Sequence, residues 1–162
     1  MAHARAAAVT ARYAELGART NFSFLEGVSH PAEIVGRAHE LGLAAIGVAD
    51  RNTLAGCVRA LHAAEKLGIP FVLGSRLVLQ DGTELLAWPT TRTAYGNLCR
   101  LLTRGKRRAP KGECHLGLAD VADHAAGLVF AHVPPADTRH DAAPLATRLR
   151  ELKEALDAPL WL

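Results

Sequence analysis

Aromatic side chains make up only 5% of these 162 residues, and there are just three cysteines and one methionine. Cys57, Cys99 and Cys114 are far apart and form no CxxC pair. That spacing excludes a zinc ribbon and a disulfide framework, and fits reduced thiols in a cytosolic protein. No stretch approaches the ~20 apolar residues needed to span a membrane. Residues 1–12 (MAHARAAAVTAR) carry alanine and arginine but no long apolar core, which excludes a secretory signal and reads as a flexible start. The expected compartment is therefore the cytoplasm.

What the chain does have is aliphatic material. It is 49% hydrophobic and 22% charged, enough for one buried core. Net charge is +3, too small to define a partner. The distribution is more telling: Arg100, Arg104, Lys106, Arg107, Arg108 and Lys111 crowd into one segment with Glu113 the only nearby acid. No aromatics are interleaved there, so phosphate neutralisation is the binding mode open to it, without base stacking. The same charges also complement the C-terminal dipole of a helix.

Apolar runs and helical periodicity alternate along the chain. Short strands are expected at 13–16, 43–49, 70–79, 84–88, 127–133 and 159–162. Helices are expected at 31–41, from a Thr53 cap to Lys66, at 92–104, 118–124 and 142–156. Asp81–Gly82 is a two-residue hairpin signal. Gly105–Glu113 reads as a basic loop. This order predicts an α/β fold with mainly parallel strands, in which functional side chains gather at the C-terminal ends of strands. Those ends fall at Leu16–Arg19, Ala49–Asn52 and Gly74–Arg76.

Longer stretches carry a family resemblance. NFSFLEG-x-SHPAE at 21–33, LGLAAIGVADRNTLAG at 41–56, LGIPFVLGSRL at 67–77 and YGNLCRLLTRGKRR at 95–108 resemble the PHP (polymerase and histidinol phosphatase) module. The version that opens bacterial error-prone C-family DNA polymerases is the most similar. The resemblance runs over residues 13–133 and implies a partial PHP-type distorted β/α barrel. Residues 13–162 would form that domain, incomplete at its C-terminus. It further implies a setting in translesion synthesis and repair, with the rest of a C-family polymerase as partner in cis or in trans.

An active PHP relative would use Zn or Mn. The resemblance places its first two ligands, a His-x-His pair, at Gly17 and Arg19; a third histidine at Arg51; and a metal-bridging glutamate at Arg76 or Ser75. None of these side chains suits a divalent cation, since glycine has no donor and arginine stays cationic. The expectation is a degenerate module with no catalytic residue and no bound metal. Its vestigial cleft would hold Glu15, Arg19, Asp50, Arg51, Arg76 and His132. The three arginines could bind phosphate, or pair with Asp50 and Glu15 as a structural network; the network is the first reading. His132, at the end of a buried strand, reads foremost as bonded to backbone. The competing class is a phosphoesterase with altered ligands Asp50, His132 and Glu15; another is a stand-alone polymerase-binding protein. Residues Arg100, Arg104, Lys106, Arg107, Arg108 and Lys111 are the candidate DNA contact.

Overall fold

The structure, a computed structural model, describes residues 12–135 and 142–162. The expected flexible start lies almost entirely outside the described residues. Among the described residues, six strands form one sheet in the order β1(Ala14–Ala18), β2(Ala45–Arg51), β3(Phe71–Val78), β4(Glu84–Pro89), β5(Leu128–Val133), β6(Leu160–Trp161). The sheet curls into a half-barrel. β1, β2 and β3 are parallel neighbours, and so are β5 and β6; β4 runs antiparallel between β3 and β5. The reversal falls at Asp81–Gly82 as expected, but through a three-residue loop, Gln80 to Gly82, not a two-residue one: the Leu79 N–H donates to the Thr83 carbonyl at 2.9 Å and Gly82, at φ 84°, donates to the Leu79 carbonyl at 3.0 Å.

Helices cover the outer face: α1(Pro31–Glu40), α2(Cys57–Leu67), α3(Arg92–Arg108), α4(Leu118–Ala122) and α5(Ala142–Leu156). Proline suits the first position of α1, where its missing N–H costs nothing, and the Glu33 carboxylate accepts the His30 N–H at 2.8 Å. Val35 and Ala38 of α1 pack with Ala60 and Ala64 of α2 on Ile46 and Val48 of β2. A second cluster joins Leu77, Leu85 and Phe130 of the sheet to Leu98 and Leu101 of α3, Val121 of α4 and Leu152 of α5. Small residues dominate the first cluster and leucines the second, so aromatic scarcity costs the core little.

Several boundaries shift by one or two residues, β1 and β2 each running two residues further than expected, and two larger differences have a visible cause. Thr53 does not cap α2; its hydroxyl accepts the Ala55 N–H at 3.2 Å in the preceding turn, and the helix starts at Cys57. Gly105 does not stop α3, which continues to Arg108. A Cβ at Gly105 would lie 2.6 Å from Leu116 Cδ2 and 2.7 Å from Cys114 Sγ, so this glycine is a packing site for the following segment. Local propensity yields to tertiary contact here. The three thiols are free, and burial pushes that of Cys57 up to about 12.

The concave face is closed by side chains of β4. Trp88 lies across Gly74 and donates its indole N–H to the Leu16 carbonyl at 3.1 Å, tying β4 to β1 across the curl. A Cβ on Gly74 would stand 2.6 Å from Trp88 Cδ1 and 3.0 Å from the Ala87 carbonyl oxygen. Gly74→Ala is therefore expected to destabilise the domain by about 1–3 kcal/mol through overpacking. Urea denaturation followed by tryptophan fluorescence would measure it; an unchanged midpoint would refute this account of the concave face.

Candidate functional site

Strand pleat decides which residues meet. Arg51 pairs in register with Arg76, and Arg76 with Leu86, so these three share the concave face. Asp50 pairs with Ser75, and His132 with Leu85, on the opposite, helix-covered face. The expected cleft thus separates into two sets. His132 ends its strand at the anticipated rim but points the other way, with Nδ1 3.1 Å from the Glu84 carbonyl oxygen. The backbone-bonded reading of this histidine stands. Ser75 faces away as well, and its hydroxyl donates to the Asp50 carbonyl at 3.0 Å. Arg76, not Ser75, occupies the concave end of β3.

Asp50 is fully buried and pairs with neither Arg19 nor Arg51. Its carboxyl accepts the Thr20 N–H at 2.7 Å, the Thr20 hydroxyl at 2.8 Å and the Ser23 hydroxyl at 2.7 Å. Ser23 Oγ also accepts the Arg51 N–H at 3.0 Å. The loop after β1 is in this way fastened to the end of β2. Glu15 is occupied locally, accepting the Tyr13 hydroxyl at 2.9 Å and the Gly17 N–H at 2.7 Å.

The arginines do form an ion-pair network, but with other carboxylates than those expected. Glu26 stands between Arg19 and Arg51, at 2.7 Å and 2.6 Å. Arg76 pairs with Glu84 at 2.6 Å. Glu84 carries no motif; only the hairpin that returns β4 beside β3 brings it to Arg76. Partial burial opposes ionisation of Glu26, yet the two guanidiniums outweigh it and hold its carboxyl below the ordinary range. Arg76 is lowered from its usual value by burial and by repulsion from Arg19, against the pull of Glu84. Its Nε is buried without a hydrogen-bond partner among the described residues.

The donor set at this rim does not fit a divalent metal. Gly17 offers no donor, and a side chain there would meet Leu86 Cδ1 at 3.2 Å. Arg19, Arg51 and Arg76 are cations, while Glu26 and Glu84 are committed to them. Among the described residues no group of three His, Cys, Asp or Glu could hold a metal ion.

The basic segment is also divided. Arg108 makes a bidentate pair with Asp120 at 2.7 Å and 2.9 Å, and Arg104 reaches Asp123 at 3.1 Å. Arg100 bonds the Asn97 side-chain oxygen at 2.7 Å. Arg100, Lys106, Arg107 and Lys111 have no carboxylate partner among the described residues. Lys106 to Arg108 sit in the last turn of α3 rather than in a loop.

A curled β/α half-barrel with helices on its convex face and polar residues at one strand-end rim defines a barrel-type module. The PHP domain family matches residues 15–157, and the chain belongs to that family. An "Error-prone DNA polymerase" of Rhodopseudomonas palustris (strain BisB5) is 50% identical over 155 residues, covering 93% of this chain. One from Brucella abortus biovar 1 (strain 9-941) is 49% identical over 157 residues with the same coverage. The chain spans 14% of the length of each of these relatives. Among solved structures, an amidohydrolase from Chromobacterium violaceum, with bound sulfate and no metal, matches at TM-score 0.65. It is 17% identical, the match covering 91% of this chain and 75% of that one, and it supports the fold alone.

Two measurements test this geometry. Asp50→Ala leaves three donors without an acceptor in a buried site and should cost at least ~3 kcal/mol, with faster proteolysis within residues 20–29. Asp50→Asn should recover only part of that loss, because an amide NH2 faces donors. The second concerns pH. Glu26, Asp81 and Asp120 have folded-state pKa values below their ordinary ones. Their contribution is complete above the unfolded value near ~4 and is lost as pH falls through the depressed folded values. Acid titration should show a stability plateau between about pH 5 and 7, then a fall below about pH 4 that Glu26→Gln makes shallower.

Proposed function

We propose that this chain is a non-catalytic PHP module of an error-prone DNA polymerase, acting as a structural support in translesion synthesis and DNA repair in the cytoplasm. The observation that carries this reading is the rim itself. Arginines stand at Arg19, Arg51 and Arg76, where the family resemblance places metal ligands, and Glu26 and Glu84 pair with them. A site of that composition cannot generate a metal-bound nucleophile, but it can hold the first loop rigid. The rest of the polymerase, in cis or in trans, is the proposed partner; the polymerase relatives, about seven times longer, favour this. The phosphoesterase alternative loses support because Asp50 and Glu15 are consumed by local hydrogen bonds and His132 by the Glu84 carbonyl.

The proposed contact with the DNA backbone narrows to Arg100, Lys106, Arg107 and Lys111, which lack carboxylate partners. Arg104 and Arg108 serve instead to fasten α3 to α4. Arg100, Arg104 and Arg107 share one helical face at i, i+4 and i+7, where a shallow groove runs along α3.

Metal analysis after incubation with Mn or Zn should find less than one equivalent bound, and no phosphodiester hydrolysis above a no-protein control. Stoichiometric metal, with turnover abolished by Asp50→Ala, would overturn the scaffold reading. Changing Arg100 and Arg107 to alanine together should weaken duplex binding. It should also lower the slope of log K against log salt by about 0.9 for each phosphate no longer neutralised.

A further inference from the structure

A cavity of about 710 Å³ opens beside the arginine rim, between the first loop, the ends of β2 and β3, and the segment after α3. Its size is that of a small-molecule site. Two phenylalanines, Phe22 and Phe24, line it together with Arg51, Lys106 and His115. This is where aromatics and cations meet in a chain that has few aromatics. The basic segment taken by itself lacks them; folding brings Phe22 and Phe24 to Lys106 from about 80 positions away.

The two rings are not equivalent. Phe22 already carries the Arg59 guanidinium 5.5 Å from its ring centre, a cation–π contact that holds it in place. Phe24 is 84% exposed. Its loop is nonetheless fastened at the base by the Asp50 hydrogen bonds and by Glu26, so an exposed ring is presented by a rigid support. In the same lining, the Lys106 ammonium has no carboxylate partner among the described residues. Glu113, the one acid in the lining, is bonded to His115 at 2.9 Å. Asn52 bonds both the N–H and the carbonyl of Val78, at 2.9 Å and 3.4 Å, which fixes the floor. An exposed ring lines one cavity with an unpaired ammonium and with the half-exposed Arg51 guanidinium, which holds Glu26 through Nη1; together they are the combination that takes a base and its phosphate.

We propose that this cavity binds a nucleotide, with the base stacked on Phe24 and the phosphate held by Lys106 and Arg51. The nucleotide can come from single-stranded DNA or be free. The site shares Lys106 with the backbone contact proposed above but does not rest on it or on the polymerase reading.

Thymidine monophosphate binding by calorimetry and binding of a labelled ten-nucleotide oligo-dT by fluorescence anisotropy test the proposal on the same chain. At least one ligand should bind, and Phe24→Ala should weaken it about tenfold, the loss of one base stack. Phe24→Trp should restore affinity, while Lys106→Ala should weaken it and lower the salt slope. Phe24 is exposed, so its variants should keep the parent's thermal melt. Monophosphate binding alone identifies a free nucleotide as the ligand; oligo-dT binding alone identifies a strand. Changing Arg100 and Arg107 to alanine should leave monophosphate binding unchanged. Failure of both ligands to bind, Phe24→Ala binding as tightly as the parent, or loss of monophosphate binding in the Arg100/Arg107 variant would each overturn the proposal.

Discussion

Three hydrogen bonds converge on the buried carboxyl of Asp50, and the geometry of the rim depends on them. They come from Thr20 and Ser23, two residues of a loop that has little apolar packing of its own. A buried carboxyl without donors would be costly, and loop hydroxyls without an acceptor would be too, so each requires the other. Once the loop is fastened, the Ser23 carbonyl accepts from Glu26 N and Gly27 N, both at 2.9 Å, and the turn holds Glu26 over the sheet. Glu26 then lies between two guanidiniums that would otherwise repel. The same support carries Phe24 to the edge of the neighbouring cavity.

Carboxylate pairing lets three arginines stand together at one end of a sheet. Arg19 and Arg51 share Glu26 and Arg76 has Glu84, which leaves one positive charge over, and the first two stand where water still screens them. Pairs of this kind contribute little stability each, so the network is better understood as orientation than as a source of folding energy. Arg76 is the exception in environment. With its side chain 11% exposed and Nε unpartnered, it is the cation most sensitive to what lies beside it.

Much of this was legible in the sequence. The element order, the Asp81–Gly82 hairpin and the absence of metal donors at Gly17, Arg19, Arg51 and Arg76 follow from residue types at strand ends. The partners of the arginines were not legible. Glu84 reaches Arg76 only because β4 returns antiparallel beside β3, and nothing in its neighbours marks it. Strand pattern puts His132 at the correct end of its strand but on the wrong face, since one residue of register reverses the direction of a side chain. Gly105 reads as a helix stop, yet Leu116 and Cys114 fill the space its missing side chain leaves.

The sequence by itself determined the chemistry available: an aliphatic core, alternating strands and helices, and the arginines Arg19, Arg51 and Arg76 at three strand ends. Residue identity sets those properties without reference to distance. Tertiary structure alone decided which acid pairs with which arginine, which face each strand-end side chain occupies, and that Phe24 and Lys106 line one cavity. Such pairings join residues tens of positions apart, and a sheet register with a two-residue period and a hydrogen-bonded loop fixes them.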